Sequence, residues 1–292
     1  MRPLCTMPKK IMITCDSTCD LSAQLIQKYE ITVHPLPITL GNQMYLDGIE
    51  VTVQDLFDYV AAHNELPRTS APNPSDYMAF FKPLADQGFA LIHFVIGSGF
   101  SSSVFNAATA ASELEDVYVI DAMNLSSGIA LLAVKAAELA ASGLPANEIV
   151  DQINALRNKV DASFVIDTCE YLYKGGRCSA LAALGANLLK LKPCIEVRES
   201  KMGVGKKYRG RVSDVILDYV DARLATPDDI DATRIFVTHT CRDDAMVNAV
   251  VEKIKALHFF DEILVTSAGC TISVHCGPDT LGVLFIRKTP VE

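Results

Sequence analysis

The chain has 292 residues, of which 50% are hydrophobic and 21% are charged. This is a globular composition rather than a disordered one, and the length suits two domains, or one large one, with a sizeable core. The formal net charge of −9 argues against a general nucleic-acid-binding protein, which would normally present a basic face.

Predicted strands and helices alternate through the first half of the chain. Strands are predicted at residues 10–18, 31–40, 90–96 and 117–121, and helices at residues 20–30, 52–64, 75–88, 101–114, 126–143 and 145–160. Asp20, Thr52 and Ser75 are the predicted N-caps of the first three helices, because their side chains can accept hydrogen bonds from free backbone N–H groups. The alternation predicts right-handed βαβ units and a mainly parallel sheet flanked by helices.

The second half contains a similar mixture of elements. Strands are predicted at residues 163–168, 192–199, 234–240, 262–268 and 280–288, and helices at residues 179–190, 211–225 and 243–257. We therefore predict an α/β fold of two α/β domains, residues 1–160 and residues 161–292, the second with a mixed sheet. Residues 172–211 carry ten Lys and Arg against two Glu. That stretch is either a solvated basic face or a docking surface for an anion or an acidic partner.

The cysteines and the apolar segments indicate the cellular location of the protein. Nine cysteines are scattered without a pair of CxxC motifs, as is typical of reduced cytosolic thiols. The basic N-terminus has too short an apolar run for a convincing signal peptide. The most apolar predicted helix, residues 128–143, carries Lys135 and Glu138 and is too short to span a bilayer. These features predict a cytoplasmic protein with at most transient membrane contact.

Hydroxyl groups gather where predicted strands of the first half end. Ser17 and Thr18 follow the first strand, residues 97–103 place four serines and two glycines after another, and residues 121–127 follow the next. The carboxyl ends of parallel strands share one rim of a sheet, and helix N-termini there favour anions. The sequence therefore predicts an anion site on this rim, although any single serine is more simply an N-cap.

Other kinds of site have weaker support. A nucleotide site lacks a signature, because residues 203–207 do not have the spacing of a P-loop and no GxGxxG follows a strand. A metal site lacks familiar ligand spacings. A serine hydrolase acting on acyl esters is the alternative that stays open. Ser101 stands at a strand-to-helix turn resembling a GxSxG elbow, with His239 or His275 as available bases and Asp121 as an orienting carboxylate.

Eight segments, taken in order, resemble motifs of the DegV family of bacterial lipid-binding proteins, and the resemblance runs nearly end to end. The segments are ITCDSTCDL from Ile13, TSAP from Thr69, SGFSSS from Ser98, VID from Val119, YLYKGGR from Tyr171, LKP from Leu191, RGR from Arg209 and HCGP from His275. Each motif alone is weak evidence of family membership, but eight motifs in the same order are strong evidence of it. Ala71, Phe100 and Ser102 replace the family's usual Gln, Leu and Gly.

Members of this family bind one long-chain fatty acid between two α/β domains, and some serve as the fatty-acid-binding subunit of a bacterial fatty acid kinase. The resemblance implies that Thr69, Ser101 and His275 hold the carboxylate. It implies further ligand or partner contacts at Ser70, Ser98, Gly99, Ser102 and Arg209. Phe100 and Ser102 are expected to change chain selectivity or to displace the head group slightly.

The resemblance also defines the expected partners. It implies a lipid-binding protein without catalytic residues, metal or cofactor, whose ligand is a long-chain fatty acid. Any kinase activity belongs to a separate ATP-using subunit. The basic residues 201–211 are candidates for docking that subunit, in competition with the solvated-face interpretation.

Overall fold

The structure is a computed structural model that describes residues 9–182 and 191–291. Its strands are β1 (Ile11–Asp16), β2 (Thr32–His34), β3 (Pro37–Leu40), β4 (Gln43–Leu46), β5 (Arg68–Thr69), β6 (Ala90–Val95), β7 (Val117–Asp121), β8 (Val160–Val165), β9 (Lys192–Arg198), β10 (Lys201–Tyr208), β11 (Ile230–His239), β12 (Glu262–Ser267) and β13 (Leu281–Arg287). Its helices are α1 (Ala23–Lys28), α2 (Val53–His63), α3 (Pro74–Asp86), α4 (Ser103–Ala111), α5 (Ser127–Ala141), α6 (Ala146–Leu156), α7 (Glu170–Lys174), α8 (Val212–Arg223), α9 (Asp244–Ala256) and α10 (Cys270–Cys276).

A parallel sheet of order β2-β1-β6-β7 organises the first half of the chain, as predicted. Helices α3 and α4 pack together against β6 and β7, while α5 and α6 pack together against β1, β6 and β7. Strand β6 is buried along its whole length, as expected for a central strand covered on both faces. The α/β fold class with flanking helices is therefore confirmed.

A mixed sheet of order β10-β9-β8-β13-β11-β12 organises the second half. Only its β11–β12 pair is parallel, whereas the other neighbours run antiparallel. Helix α5 contacts β1 as well as β8 and β13. A continuous apolar core accordingly runs from the parallel sheet to Phe236 and Leu284 of the mixed sheet. Because this core crosses residues 160 and 161, the domain division there stays a prediction.

A small antiparallel sheet of order β4-β3-β5 forms where one extended run, residues 31–40, was predicted. That run divides into β2, which joins the parallel sheet, and β3, which begins at Pro37 in the small sheet. Ile38 of β3 packs with Leu56 of α2 and with Cys270 and Val274 of α10. The small sheet therefore ties an N-terminal segment to the last helix of the chain.

Two of the three predicted helix caps are wrong. The N-cap of α1 is Ser22, whose hydroxyl accepts from the backbone of Leu25. Asp20 is instead buried, with a φ of 52°. The N-cap of α3 is Asn73 rather than Ser75, because Asn73 forms a reciprocal capping box with Asp76. The prediction for Thr52 is confirmed.

Several elements that position the site were not predicted, among them β5, α7, β10 and α10. Strand β10 pairs antiparallel with β9 at the edge of the mixed sheet, although its glycines and lysines are poor strand formers. Helix α10 has only seven residues and carries His275. The predicted helix at residues 179–190 lies mostly outside the described residues, since residues 183–190 are not described. In the described ranges no helix is both long enough and apolar enough to cross a membrane.

Candidate functional site

The predicted rim exists, because β1, β6 and β7 are parallel neighbours and their following loops lie at one edge. A cavity opens between this edge and the mixed sheet. Its empty space, including the part open to solvent at the mouth, is about 910 Å³. The loops that follow β1, β6 and β7 contribute Thr18, Ser101 and Ser126 to its wall.

The cavity wall combines apolar side chains with hydroxyl groups. Its larger apolar residues are Leu36, Ile96, Phe100, Leu125, Phe164, Leu172, Met202, Ile272 and Leu284. Its hydroxyl residues are Thr18, Thr69, Ser70, Ser101, Ser126, Thr238, Thr240, Thr271 and Thr280. Arg177, His239 and His275 also line it. Such a wall suits a ligand with a long apolar part and a small polar group.

Thr69 and His275 meet at this cavity from opposite ends of the chain. Oγ1 of Thr69 lies 2.9 Å from Nε2 of His275, and both side chains are partly buried. Nδ1 of His275 is buried and has no hydrogen-bond partner among the described residues. A buried N–H without a partner costs more than an unpaired lone pair, so we assign the ring proton to Nε2. Nε2 then donates to Thr69, whose own hydroxyl hydrogen is left to donate into the cavity.

The electrostatics of this pair keep it neutral. Burial lowers the pKa of His275 to about 4, and the positive charge of Arg177 acts in the same direction. The imidazole is therefore uncharged near pH 7. The pair offers a carboxylate one free hydrogen-bond donor, the Thr69 hydroxyl group, without a buried counter-charge, while the exposed guanidinium of Arg177 supplies positive charge at the cavity wall.

Close packing between α7 and α10 fixes the imidazole. A Cβ atom at Gly175 would lie 2.5 Å from Nδ1 of His275. A Cβ atom at Gly277 would lie 2.8 Å from the ring of Tyr171, and Gly277 has a φ of 74°, which favours glycine. The segments YLYKGGR and HCGP therefore contact each other, and their glycines make room for the histidine and the tyrosine.

Two buried carboxyl groups hold the first turn of α10. Asp47 accepts from the backbone N–H groups of Cys270 and Thr271 at 2.9 and 3.1 Å and from the Thr271 hydroxyl at 2.7 Å. Asp20 accepts from the backbone of Gly269 at 2.8 Å. Burial, together with the charge of Asp47, raises the pKa of Asp20 to about 8, against the opposing effect of the hydrogen bonds from Ser126 and Gly269. Asp20, the wrongly predicted cap of α1, thus contacts the start of α10 instead.

Ser101 lines the cavity without a catalytic partner. Its Oγ lies 2.9 Å from Oγ of Ser103 and accepts from the Ser103 backbone N–H at 3.2 Å. No histidine hydrogen-bonds Ser101 within residues 9–182 and 191–291. Asp121 accepts from the backbone of Ser98 and Met123 instead of orienting an imidazole. The hydrolase interpretation therefore has no structural support.

The remaining predicted contacts fall in different places. Ser70 is exposed and lines the cavity, whereas Ser98, Gly99, Ser102 and Arg209 are not part of its wall. Ser98 donates its backbone N–H to Asp121. Ser102 and Arg209 are exposed. A Cβ atom at Gly99 would lie 2.0 Å from the backbone oxygen of Ser200, so this glycine admits the β9–β10 turn.

Sequence reasoning missed several residues of the wall. No role in the site was predicted for Arg177, although it belongs to the YLYKGGR segment that carries part of the family resemblance. Thr238 and Thr240 gave no such signal, because threonine is common in predicted β-strands. In the described part of the chain, no three His, Cys, Asp or Glu side chains are grouped so that they could hold a metal ion. The expectation of a protein without metal or cofactor stays a prediction.

Comparisons with known proteins identify the relatives of this chain. A sequence model of the family described as "Uncharacterised protein, DegV family" matches residues 10–288. A DegV domain-containing protein of Clostridium perfringens is 30% identical over 284 residues, which cover 96% of this chain and 99% of the relative. A fatty-acid-binding DegV family protein from Thermus thermophilus has a similar structure, with a TM-score of 0.88 at 26% identity over 95% of this chain and 99% of its own. A stearic-acid-binding protein from Eubacterium ventriosum gives a TM-score of 0.84 at 25% identity over 95% and 98% of the two chains.

Proposed function

The chain belongs to the DegV family, and we propose that it binds one long-chain fatty acid non-covalently. Thr69, Ser101 and His275 hold the carboxylate, and the acyl chain fills the cavity between the two main sheets. The observation that carries the proposal is the Thr69–His275 pair, 2.9 Å apart on the wall of that cavity. The fatty-acid-binding proteins from Thermus thermophilus and Eubacterium ventriosum support it.

The energetics of such a ligand divide between its two ends. Each buried methylene contributes roughly 0.8 kcal/mol, so a long acyl chain supplies on the order of 10 kcal/mol before binding costs. The head group then needs only enough hydrogen bonds to offset the desolvation of its carboxylate and to fix its orientation. The hydroxyls of Thr69 and Ser101 are suited to this task, since the first is polarised by the Nε2–H of His275.

We also propose that the bound carboxylate is presented to a separate ATP-using subunit. A carboxylate oxygen would attack the γ-phosphorus of ATP held by that subunit, forming an acyl phosphate and releasing ADP. Neutral donors support this step, because they hold the carboxylate without neutralising its charge. Exposed Arg209 and the neighbouring basic residues of β10 are candidate contacts for the subunit. We place the protein in the cytoplasm with its ATP-using partner.

Native mass spectrometry of the purified chain, followed by lipid analysis, tests fatty-acid binding. We expect a mass excess equal to one fatty acid per chain. Thr69→Val and Ser101→Ala should each weaken binding about tenfold or more, since a hydrogen bond to a charged group contributes about 1.5–3 kcal/mol. Ser102→Ala is the matched control, because the Ser102 side chain is exposed and lies outside the cavity wall.

Two results would contradict these proposals. A chain that stays free of lipid after incubation with mixed fatty acids would remove the binding proposal. Presentation to a kinase is tested separately, by adding the loaded chain to a fatty acid kinase catalytic subunit and measuring ADP release. Normal fatty-acid binding without stimulated ADP release would reject presentation alone.

A further inference from the structure

Thr18 has a buried hydroxyl group that nothing in the described structure engages. The residue is fully buried at 0% exposure, lies in the short 3-10 helix Ser17–Cys19 after β1, and lines the cavity. Its Oγ1 has no hydrogen-bond partner in residues 9–182 or 191–291. Buried polar atoms without partners are rare in folded proteins, and one on a residue that lines a cavity calls for a partner that the chain itself does not supply.

The hydroxyl group of the preceding residue and those of three other residues of the cavity wall are already engaged. Ser17 donates to Asp47 at 2.8 Å, and Thr271 donates to the same carboxylate at 2.7 Å. Ser126 donates to Asp20, and Thr240 donates to the carbonyl of Gly277 at 2.6 Å. The Thr18 hydroxyl differs from them because its hydrogen is free to be donated to an oxygen atom inside the cavity.

The segment that contains Thr18 and the head-group pair lie beside different turns of α10. Ser17 and Thr271 share one oxygen of Asp47, so the segment that contains Thr18 lies beside the first turn of α10. His275 is on the last turn of the same helix, four residues beyond Thr271, which corresponds to about 6 Å along the helix axis. The two sets of hydroxyl groups therefore adjoin opposite ends of this short helix.

The surroundings of Thr18 favour an acyl chain that bears one oxygen. Leu36, Leu125 and Ala268 line the cavity together with Thr18, so this wall otherwise suits methylene groups. We propose that Thr18 forms a second polar subsite, which donates a hydrogen bond to a hydroxyl or keto oxygen on the acyl chain. The ligand class is thus an oxygenated long-chain fatty acid. This inference rests on the proposed binding of a fatty acid.

The test measures the affinity of the full chain for stearic acid and for a positional series of monohydroxystearic acids, by displacement of a fluorescent fatty acid. At one or more hydroxyl positions, wild-type chain should bind the hydroxy acid about tenfold more tightly than Thr18→Val does. Stearic acid itself should bind both chains equally or should favour the variant. Thr18→Ser should retain the preference, because it keeps the hydroxyl.

A matched control uses Thr14→Val, which makes the same change at a buried threonine outside the cavity wall, whose hydroxyl group is already paired with His93. This variant should lower the thermal midpoint and leave the ratio of the two affinities unchanged. Thr18→Val should fold normally, because the lost hydroxyl has no partner, and its thermal midpoint checks this. If stearic acid binds but Thr18→Val leaves every affinity ratio unchanged, Thr18 faces only water or methylenes and the inference is wrong. If wild-type chain binds neither class of acid, the proposed function itself fails.

Discussion

Gly175→Ala tests whether the head-group pair depends on the close contact between α7 and α10. The backbone at Gly175 has a φ of −68° and a ψ of −16°, which alanine adopts readily, so any effect is steric rather than conformational. The new Cβ atom would lie 2.5 Å from Nδ1 of His275 and 3.0 Å from the carbonyl oxygen of Tyr171. Ordinary contacts begin at 3.4 Å, so the imidazole has to move by a large part of an ångström.

That movement disturbs the 2.9 Å hydrogen bond between His275 and Thr69. The bond itself is neutral, but it orients the Thr69 hydroxyl group that donates to the carboxylate. A hydrogen bond to a charged group is worth about 1.5–3 kcal/mol, so we expect fatty-acid affinity to fall by about 10-fold to 100-fold. Overpacking a well-packed site should also lower the free energy of unfolding by about 1–3 kcal/mol. Displacement of a fluorescent fatty acid gives the first quantity, and urea unfolding of the lipid-free chain gives the second.

Gly203→Ala is the control variant, because the nearest atom to its Cβ is the backbone oxygen of Glu196 at 4.0 Å. It should change neither quantity. In a His275→Ala background, Gly175→Ala should cost little additional affinity, since the ring that it displaces is gone. Wild-type affinity and stability in Gly175→Ala would refute the steric reasoning, and equal losses in both backgrounds would show that the effect does not pass through His275.

Two further predictions concern pH and helix capping. The unfolded chain protonates His275 near its ordinary pKa of 6.5, whereas the folded chain does so only near 4, so stability should fall as pH decreases from about 6.5 to about 4. Urea unfolding of the lipid-free chain at several pH values measures this effect. Over that interval the free energy of unfolding should fall by up to about 3 kcal/mol more in wild type than in His275→Gln. Identical pH profiles for the two chains would contradict the assigned burial of His275. Asn73→Ala should destabilise the fold by about 1 kcal/mol through loss of the α3 cap, while Ser75→Ala should change the free energy of unfolding less; the reverse order would restore Ser75 as the cap.

The parallel sheet and its rim could be predicted because their signals are local. A buried apolar run such as residues 90–95 ends in small hydroxyl residues, and the next helix follows directly. Parallel topology then brings the ends of β1, β6 and β7 together without further information. This rule places residues 97–103 at the rim but does not single out Ser101, since Ser98 and Ser102 of the same loop lie outside the cavity wall.

Helix α10 could not be predicted because the groups that stabilise it are distant in sequence. The helix has only seven residues, and it is rich in Cys and β-branched residues, which are weak helix formers. Asp47 accepts hydrogen bonds from the first turn although it lies more than 200 positions earlier. Arg177 was missed for a related reason, since only the assembled cavity shows which side chains line it. Thr18 belongs to the predicted rim, but its lack of a hydrogen-bond partner could not be predicted.

The same contacts that complete the fold also complete the site. His275 reaches Thr69 because Asp47 and Asp20 hold the start of α10, while Gly175 and Gly277 let α7 pack against its end. Thr69 and His275 are separated by 206 positions, so no local segment of the chain presents both groups. Both partners are neutral at pH 7, and a neutral pair can be enclosed without the desolvation cost of a buried ion. A donor pair assembled in this way, beside a largely apolar wall, is therefore stable before any carboxylate arrives.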